Sequence, residues 1–250
     1  MNLENPIAHR STKTVYRDGD KTIKLFVEGY PKPSILNEAL NLARVEDVGL
    51  NIPKLVEVTT HENRWAIVTE HIEGESLETL MKRNPEKMDE YLNLFVSIQL
   101  EILSKPAPAM LNKIKEKMKN KIASAELSDT IKYDLSTRLE GIPNHYKLCH
   151  GDFVPSNVII KEDGSHYIID WAHVTQGNAS ADAARTFLIF SLHGQTELAE
   201  KYLNLFSEKS GIEKRFIQKW VPIVAASQLS KGNVEERDFL HHWVDVIEFQ

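Results

Sequence analysis

Asp152, Asn157 and Asp170 are the side chains in this sequence best suited to phosphate chemistry. They stand in the run HGDFVPSN, residues 150–157, and at the end of VIIKEDGSHYIID, residues 158–170. Phosphoryl transfer needs a carboxylate to receive the proton of an incoming hydroxyl, and oxygen ligands to hold magnesium. Asp152 reads as the catalytic base. Asn157, five positions later, and Asp170, thirteen further on, read as the magnesium ligands. The spacing has a structural basis. Val158-Ile159-Ile160 and Tyr167-Ile168-Ile169 read as strands around the turn Glu162-Asp163-Gly164. Such a hairpin returns Asp170 beside Asn157.

A donor nucleotide also needs a cation for its phosphates and a carboxylate to aim that cation. Lys24 lies mid-strand in Thr22-Ile23-Lys24-Leu25-Phe26. Alternation puts it on one face with Thr22 and Phe26. Glu38, at the edge of the apolar face of the following helix, is its expected partner. Glu28 points away by parity. Neither residue would stand out alone, since a strand lysine is commonly a surface residue. Their weight comes from joining them to the Asp152–Asn157–Asp170 motif.

The elements that must position these groups follow from pattern. Thr12–Arg17 and Lys21–Val27 flank Asp18-Gly19-Asp20 as a hairpin, with a further short strand near Ile7. Ser34 is expected to cap a helix from Ile35 to about Val48, ended by Gly49. Leu55–Thr60 and Trp65–Glu70 form a second hairpin. After Glu73-Gly74-Glu75 the pattern turns helical, in segments near 76–82, 88–103, 111–126 and 129–139. Helices resume at 181–193, 197–209, 213–229 and 235–247. The expected domains are residues 1–72, a nucleotide-binding lobe, and 73–250, a catalytic and substrate-binding lobe.

Composition bounds the rest. The chain has 250 residues, 42% hydrophobic and 26% charged, ordinary for a globular protein. A net charge of -6 with no dominant basic stripe argues against a nucleic-acid partner. The run KIKEKMKNK, residues 113–121, reads as the wet face of a helix whose Ile114, Met118 and Ile122 turn inward. The single cysteine, Cys149, excludes an intrachain disulfide and reads as a small buried residue. Neither a signal peptide nor a membrane-length apolar run is visible, so the expectation is a cytoplasmic chain with no membrane partner.

The motifs resemble the aminoglycoside phosphotransferase and choline kinase superfamily, a branch of the protein-kinase-like fold. His150-Gly151-Asp152 matches its His-Gly-Asp loop, and Ile169-Asp170-Trp171 matches its Ile-Asp-Trp motif. The resemblance runs from about Ala8 to His193. It implies an α+β, bilobal, protein-kinase-like fold: a small antiparallel-sheet lobe with one main helix, and a larger, mostly helical lobe. It implies an ATP- and magnesium-dependent phosphotransferase acting on a small-molecule hydroxyl. Adenine would be read by the main chain around Glu70 and Ile72. One departure stands out. The loop that should cover phosphate, within residues 7–17, contains no glycine. By the resemblance, Ser11 or Thr12 would supply a hydroxyl and an amide there. Asp182 matches the family's later Asp and is expected to brace the catalytic loop.

Two functions follow. The first is a small-molecule kinase whose acceptor is open among aminoglycosides, choline, a sugar, a sugar amine and a nucleoside analogue, with a cationic alcohol such as an aminoglycoside or an amino alcohol expected. That acceptor class is drawn from Glu235, Glu236, Asp238, Asp245 and Glu248 lying with Trp220, Phe239 and Trp243, since acids and indoles attract ammonium groups. The second is a catalytically silent, kinase-like nucleotide-binding protein, favoured only by the missing glycines. The absence of a GxxxxGK[ST] motif excludes a P-loop NTPase.

Overall fold

The structure is a computed structural model that describes residues 1–245. The expectations at Glu248 and for a helix reaching Ile247 lie outside the described residues, as does the side chain of Asp245. In chain order the first elements are β1 (Pro6–His9), β2 (Lys13–Asp18), β3 (Lys21–Phe26) and α1 (Lys32–Val45). Then come β4 (Leu55–His61), β5 (Arg64–Glu70), β6 (Glu75–Ser76) and α2 (Leu77–Arg83). The middle of the chain holds α3 (Met88–Ser104), α4 (Ile114–Ser124), α5 (Asp129–Gly141), β7 (Lys147–Cys149), β8 (Val158–Ile160), β9 (His166–Ile168) and β10 (Thr175–Gly177). It closes with α6 (Ala179–Leu192), α7 (Thr196–Ser210), α8 (Lys214–Gln218), α9 (Val221–Leu229) and α10 (Arg237–Asp245).

The chain forms two compact units, Met1–Lys87 with Pro155–His173, and Met88–Val154 with Val174–Gln250. Compactness thus divides the chain differently from a cut at residue 72. The first unit also takes α2 and the β8–β9 hairpin, because β6 pairs with β8. Gly74 makes this possible. Its φ of +152° suits glycine, and a Cβ there would come within 2.5 Å of the Ile160 carbonyl.

In the first unit an antiparallel sheet runs in the order β1-β2-β3-β5-β4. Alternation gives it two apolar faces. Ile23, Leu25, Ala66 and Val68 bury one, covered by Leu3 and Tyr16. Phe26 and Ile67 bury the other against Ile35 and Ala39 of α1. Each of the buried Ile, Leu, Val and Phe side chains contributes about 1.5–3 kcal/mol. Glu62 and Asn63 both take positive φ, so β4 and β5 join through a two-residue turn. α1 starts three residues before the expected Ile35, and Ser34 is not its cap. Pro33 suits a first helical turn, and the Ser34 amide donates to the Pro31 carbonyl instead.

The second unit packs helices around aromatic rings. Phe95 of α3 stacks on Phe153 at 4.5 Å and meets Phe190 and Tyr202 edge-on or tilted. α6 is buried along nearly its whole length. The single helix expected over 213–229 is two, α8 and α9. Pro222 lies in the first turn of α9, where its missing amide costs nothing, so the chain restarts there. α4 starts at Ile114, not Leu111, because Lys113 bridges to Gln176 in extended form. No helix among the described residues is long and apolar enough to cross a membrane.

Candidate active site

The first unit gathers four charged side chains. Lys24 Nζ donates to Glu38 Oε1 at 2.8 Å and to Asp170 Oδ1 at 3.0 Å. Lys13 Nζ stands 3.6 Å from Glu38 Oε1 and 3.6 Å from Asp170 Oδ2. The local causes are plain. Lys24 shares its face of β3 with Phe26, the face that α1 covers. Glu38 is on that helix, one turn from buried Ile35 and Leu42. Burial by itself disfavours the Lys24 ammonium, but the Asp170 and Glu38 carboxylates more than offset it and hold its pKa above the usual lysine value.

Asp170 and Asn157 are set by the β8–β9 hairpin. Val158 pairs with Ile168, and one step beyond, the Ile169 amide donates to the Asn157 carbonyl at 2.9 Å. The two positions therefore flank one hairpin mouth. Asp170 takes φ +61°, the left-handed region that costs a non-glycine residue of order 1 kcal/mol. Trp171 behind it is buried and donates its indole N–H to the Ile168 carbonyl. Asn41 of α1 is buried, and its amide donates to the Ala172 carbonyl at 3.0 Å.

The glycine-free loop between β1 and β2 is closed by the Arg10 amide donating to the Lys13 carbonyl. Ser11 in it is exposed, and the Thr12 carbonyl accepts from the Val27 amide. At the end of β5, the Glu70 amide donates to the Lys54 carbonyl and the His71 amide to the Asp20 carbonyl. Glu70 is exposed and Ile72 half-buried.

The second unit holds Asp152. Gly151 before it takes φ +80°, a conformation glycine adopts freely. The Gly151 amide donates to Asp182 Oδ1 at 2.7 Å, and Gln99 donates to the other Asp182 oxygen at 3.2 Å. Tyr202 in turn donates to Gln99. Asp182 is fully buried. Burial pushes its carboxyl pKa up, opposed by the Gly151 amide, His150 and Gln99. His150 is also buried, and its Nδ1 accepts from the Asp152 amide. Asp182 and His150 thus shape the loop from beneath. Asp152 itself accepts from Arg185 at 3.1 Å, and Arg185 donates to Gln228 at 2.7 Å.

Two residues here escaped the sequence reading. Lys13 was legible in principle: the hairpin turn at Asp18-Gly19-Asp20 fixes the register that pairs Lys13 with Phe26, hence the Lys24 face. Arg185 follows Asp182 by three positions on α6, so both share a side of that helix. Trp220 is 1% exposed and Trp243 meets Phe187 edge-on, so these rings pack rather than offer open faces.

The fold is shared with solved structures. Aminoglycoside phosphotransferase APH(4)-Ia matches with TM-score 0.68 and 15% identity over 97% of this chain and 91% of that one. An aminoglycoside-3'-phosphotransferase of type VIII matches with TM-score 0.65 and 15% identity, over 90% and 92%. Choline kinase LicA from Streptococcus pneumoniae matches with TM-score 0.58 and 17% identity, over 98% and 94%. These likenesses show a protein-kinase-like fold. Among curated protein sequences none matches. The model of the phosphotransferase enzyme family matches residues 5–215. With most of its length inside that match, the chain belongs to the phosphotransferase enzyme family and is a small-molecule kinase.

Proposed function

We propose that this kinase moves the γ-phosphate of ATP to a small-molecule hydroxyl, with Asp152 as base and Asn157 and Asp170 as magnesium ligands. The observation that carries the reading is Lys24, 2.8 Å from Glu38 and 3.0 Å from Asp170. A strand lysine held by a helix glutamate is what ATP phosphates require. Lys13 adds a second ammonium where glycine amides are lacking, and Ser11 and Thr12 contribute from the same loop. The main chain around Glu70 and Ile72 is assigned to adenine. The functional lobes are 1–72 for nucleotide and 73–250 for catalysis and acceptor.

Magnesium fits the donor set. An amide oxygen and a carboxylate at one hairpin mouth match an ion that takes few protein oxygens and completes its shell with phosphates and water. When bound, the ion offsets charge on the phosphates. The chain's own residues do the rest. The acceptor oxygen attacks the γ-phosphorus, its proton passes to Asp152, and the bond to the bridging oxygen breaks to leave ADP. Arg185 orients the Asp152 carboxylate. The catalytically silent alternative draws no support from these residues, since every group the transfer uses is present. The cytoplasm, where ATP is abundant, is the proposed location.

The test is ADP release with a panel of hydroxyl acceptors, together with calorimetric ATP titration with and without magnesium. Acceptor-dependent, magnesium-dependent ADP release is expected. Magnesium-independent nucleotide binding without transfer to any acceptor would reject the reading.

A further inference from the structure

The loop that should cover phosphate has little main chain to offer it. Residues 7–17 contain no glycine, and the Arg10 amide is committed to the Lys13 carbonyl. A side-chain cation stands at the root of that loop instead. Lys13 is the first residue of β2, and it pairs with Phe26 across the β2–β3 register. Its ammonium lies 5.9 Å from the centre of the Phe26 ring, close enough for cation–π attraction to help place it. The same ammonium is 3.6 Å from Glu38 Oε1 and 3.6 Å from Asp170 Oδ2. Lys24 meets that Glu38 oxygen at 2.8 Å and the other Asp170 oxygen at 3.0 Å. Two ammoniums thus flank one carboxylate, one on each oxygen, and they are held differently. Lys24 is fixed by hydrogen bonds to both carboxylates. Lys13 is at ion-pair distance from these oxygens and too far for a hydrogen bond to either.

Resting on the reading of Lys24, Asn157 and Asp170 as the donor site, we propose that Lys13 is a specificity-determining residue that grips the terminal phosphate of the donor and so selects a nucleoside triphosphate over the diphosphate. Lys24 serves the α- and β-phosphates. Lys13 reaches the other Asp170 oxygen from the phosphate-covering loop, so it meets the phosphate that remains. Its long contacts to Glu38 and Asp170 hold it weakly, since an ion pair without a hydrogen bond contributes little. A terminal phosphate offers the ammonium both opposite charge and strong acceptor oxygens. The side chain keeps 16% of its surface exposed, which leaves it room to turn to that ligand. After transfer the diphosphate lacks this partner, and Lys13 returns to its two carboxylates. The contact is lost with the phosphate that made it.

The experiment is calorimetric titration of ATP and of ADP, with magnesium and no acceptor, into the wild type, Lys13→Met and Lys13→Arg. Lys13→Met should weaken ATP about fivefold and ADP by less than about twofold, the scale of one partly exposed charge pair. The preference for ATP over ADP therefore falls in that variant. Lys13→Arg keeps the charge and should keep the wild-type ratio. If Lys13→Met fails to fold, Lys13→Gln carries the same expectation. Equal losses for ATP and ADP would overturn the terminal-phosphate role and leave the donor site standing, as would an unchanged ATP affinity. A ratio lost as fully in Lys13→Arg as in Lys13→Met would overturn it too, since charge would then not be what discriminates. No magnesium-dependent nucleotide binding by the wild type would overturn both the role of Lys13 and the donor site on which it rests.

Discussion

Asp170 and Asp152 each face a cation at nearly the same distance, 3.0 Å to Lys24 and 3.1 Å to Arg185, yet their surroundings differ in kind. In the first unit two lysines meet two carboxylates, Lys24 and Lys13 against Glu38 and Asp170. The charges balance, and the cluster holds its members in place. In the second unit Asp152 accepts from Arg185, and its loop is fastened by hydrogen bonds to buried Asp182 and His150. A cluster of matched charges fixes the first carboxylate, whereas a hydrogen-bonded loop on a buried footing fixes the second.

The sharpest way to break this comparison is to remove Asp152. Asp152→Asn should keep ATP binding and lower transfer at least about a hundredfold, the scale of a lost general base. Transfer within a few-fold of wild type would take Asp152 out of the base role. In the other unit, Asn157→Ala and Asp170→Ala should each cost about tenfold or more in magnesium-dependent ATP affinity, measured by calorimetry. Survival of the full magnesium dependence in both variants would reject the ligand assignment.

The balance in the first unit can be probed directly. Lys24→Met and Glu38→Gln should harm turnover to a similar degree, about tenfold, because each breaks the same pair. Lys13→Met, 3.6 Å from both carboxylates, should cost only a few-fold, mainly in the KM for ATP. A Lys13→Met loss as deep as that of Lys24→Met would make the two lysines equal phosphate ligands. The smallest effect on chemistry should come from a packing change. In the second unit a Cβ on Gly177 would overlap the Ile114 side chain of α4. Gly177→Ala should therefore lower stability by about 1–3 kcal/mol in denaturant unfolding, with turnover at permissive temperature little changed. An unchanged midpoint would show that α4 yields at this contact.

Sequence alone went far in the first unit and less far in the second. Lys24, Glu38, Asn157 and Asp170 were legible because local rules place them. Strand parity, a helical wheel and a short hairpin all act over a few residues. The break at Pro222 was missed because apolar periodicity continues through it, and the early start of α1 at Lys32 because residues 32–34 carry no apolar signal, while prolines set the true limits. Asn41 of α1 is buried although polar, because the Ala172 carbonyl receives its amide, a contact between distant segments that no local pattern records.

The sequence by itself determined the local placement of the groups: Asp152 and Asn157 in one loop, Asp170 at the end of the following hairpin, and a strand lysine opposite a helix glutamate, each at a spacing that hairpins and helices reproduce. Only the tertiary structure decided which charges meet. Arg185 of α6 reaches both Asp152 and Gln228 of α9, groups far apart in the chain. That meeting follows from the packing of α6 on α9, and no local periodicity records how separate helices turn toward one another.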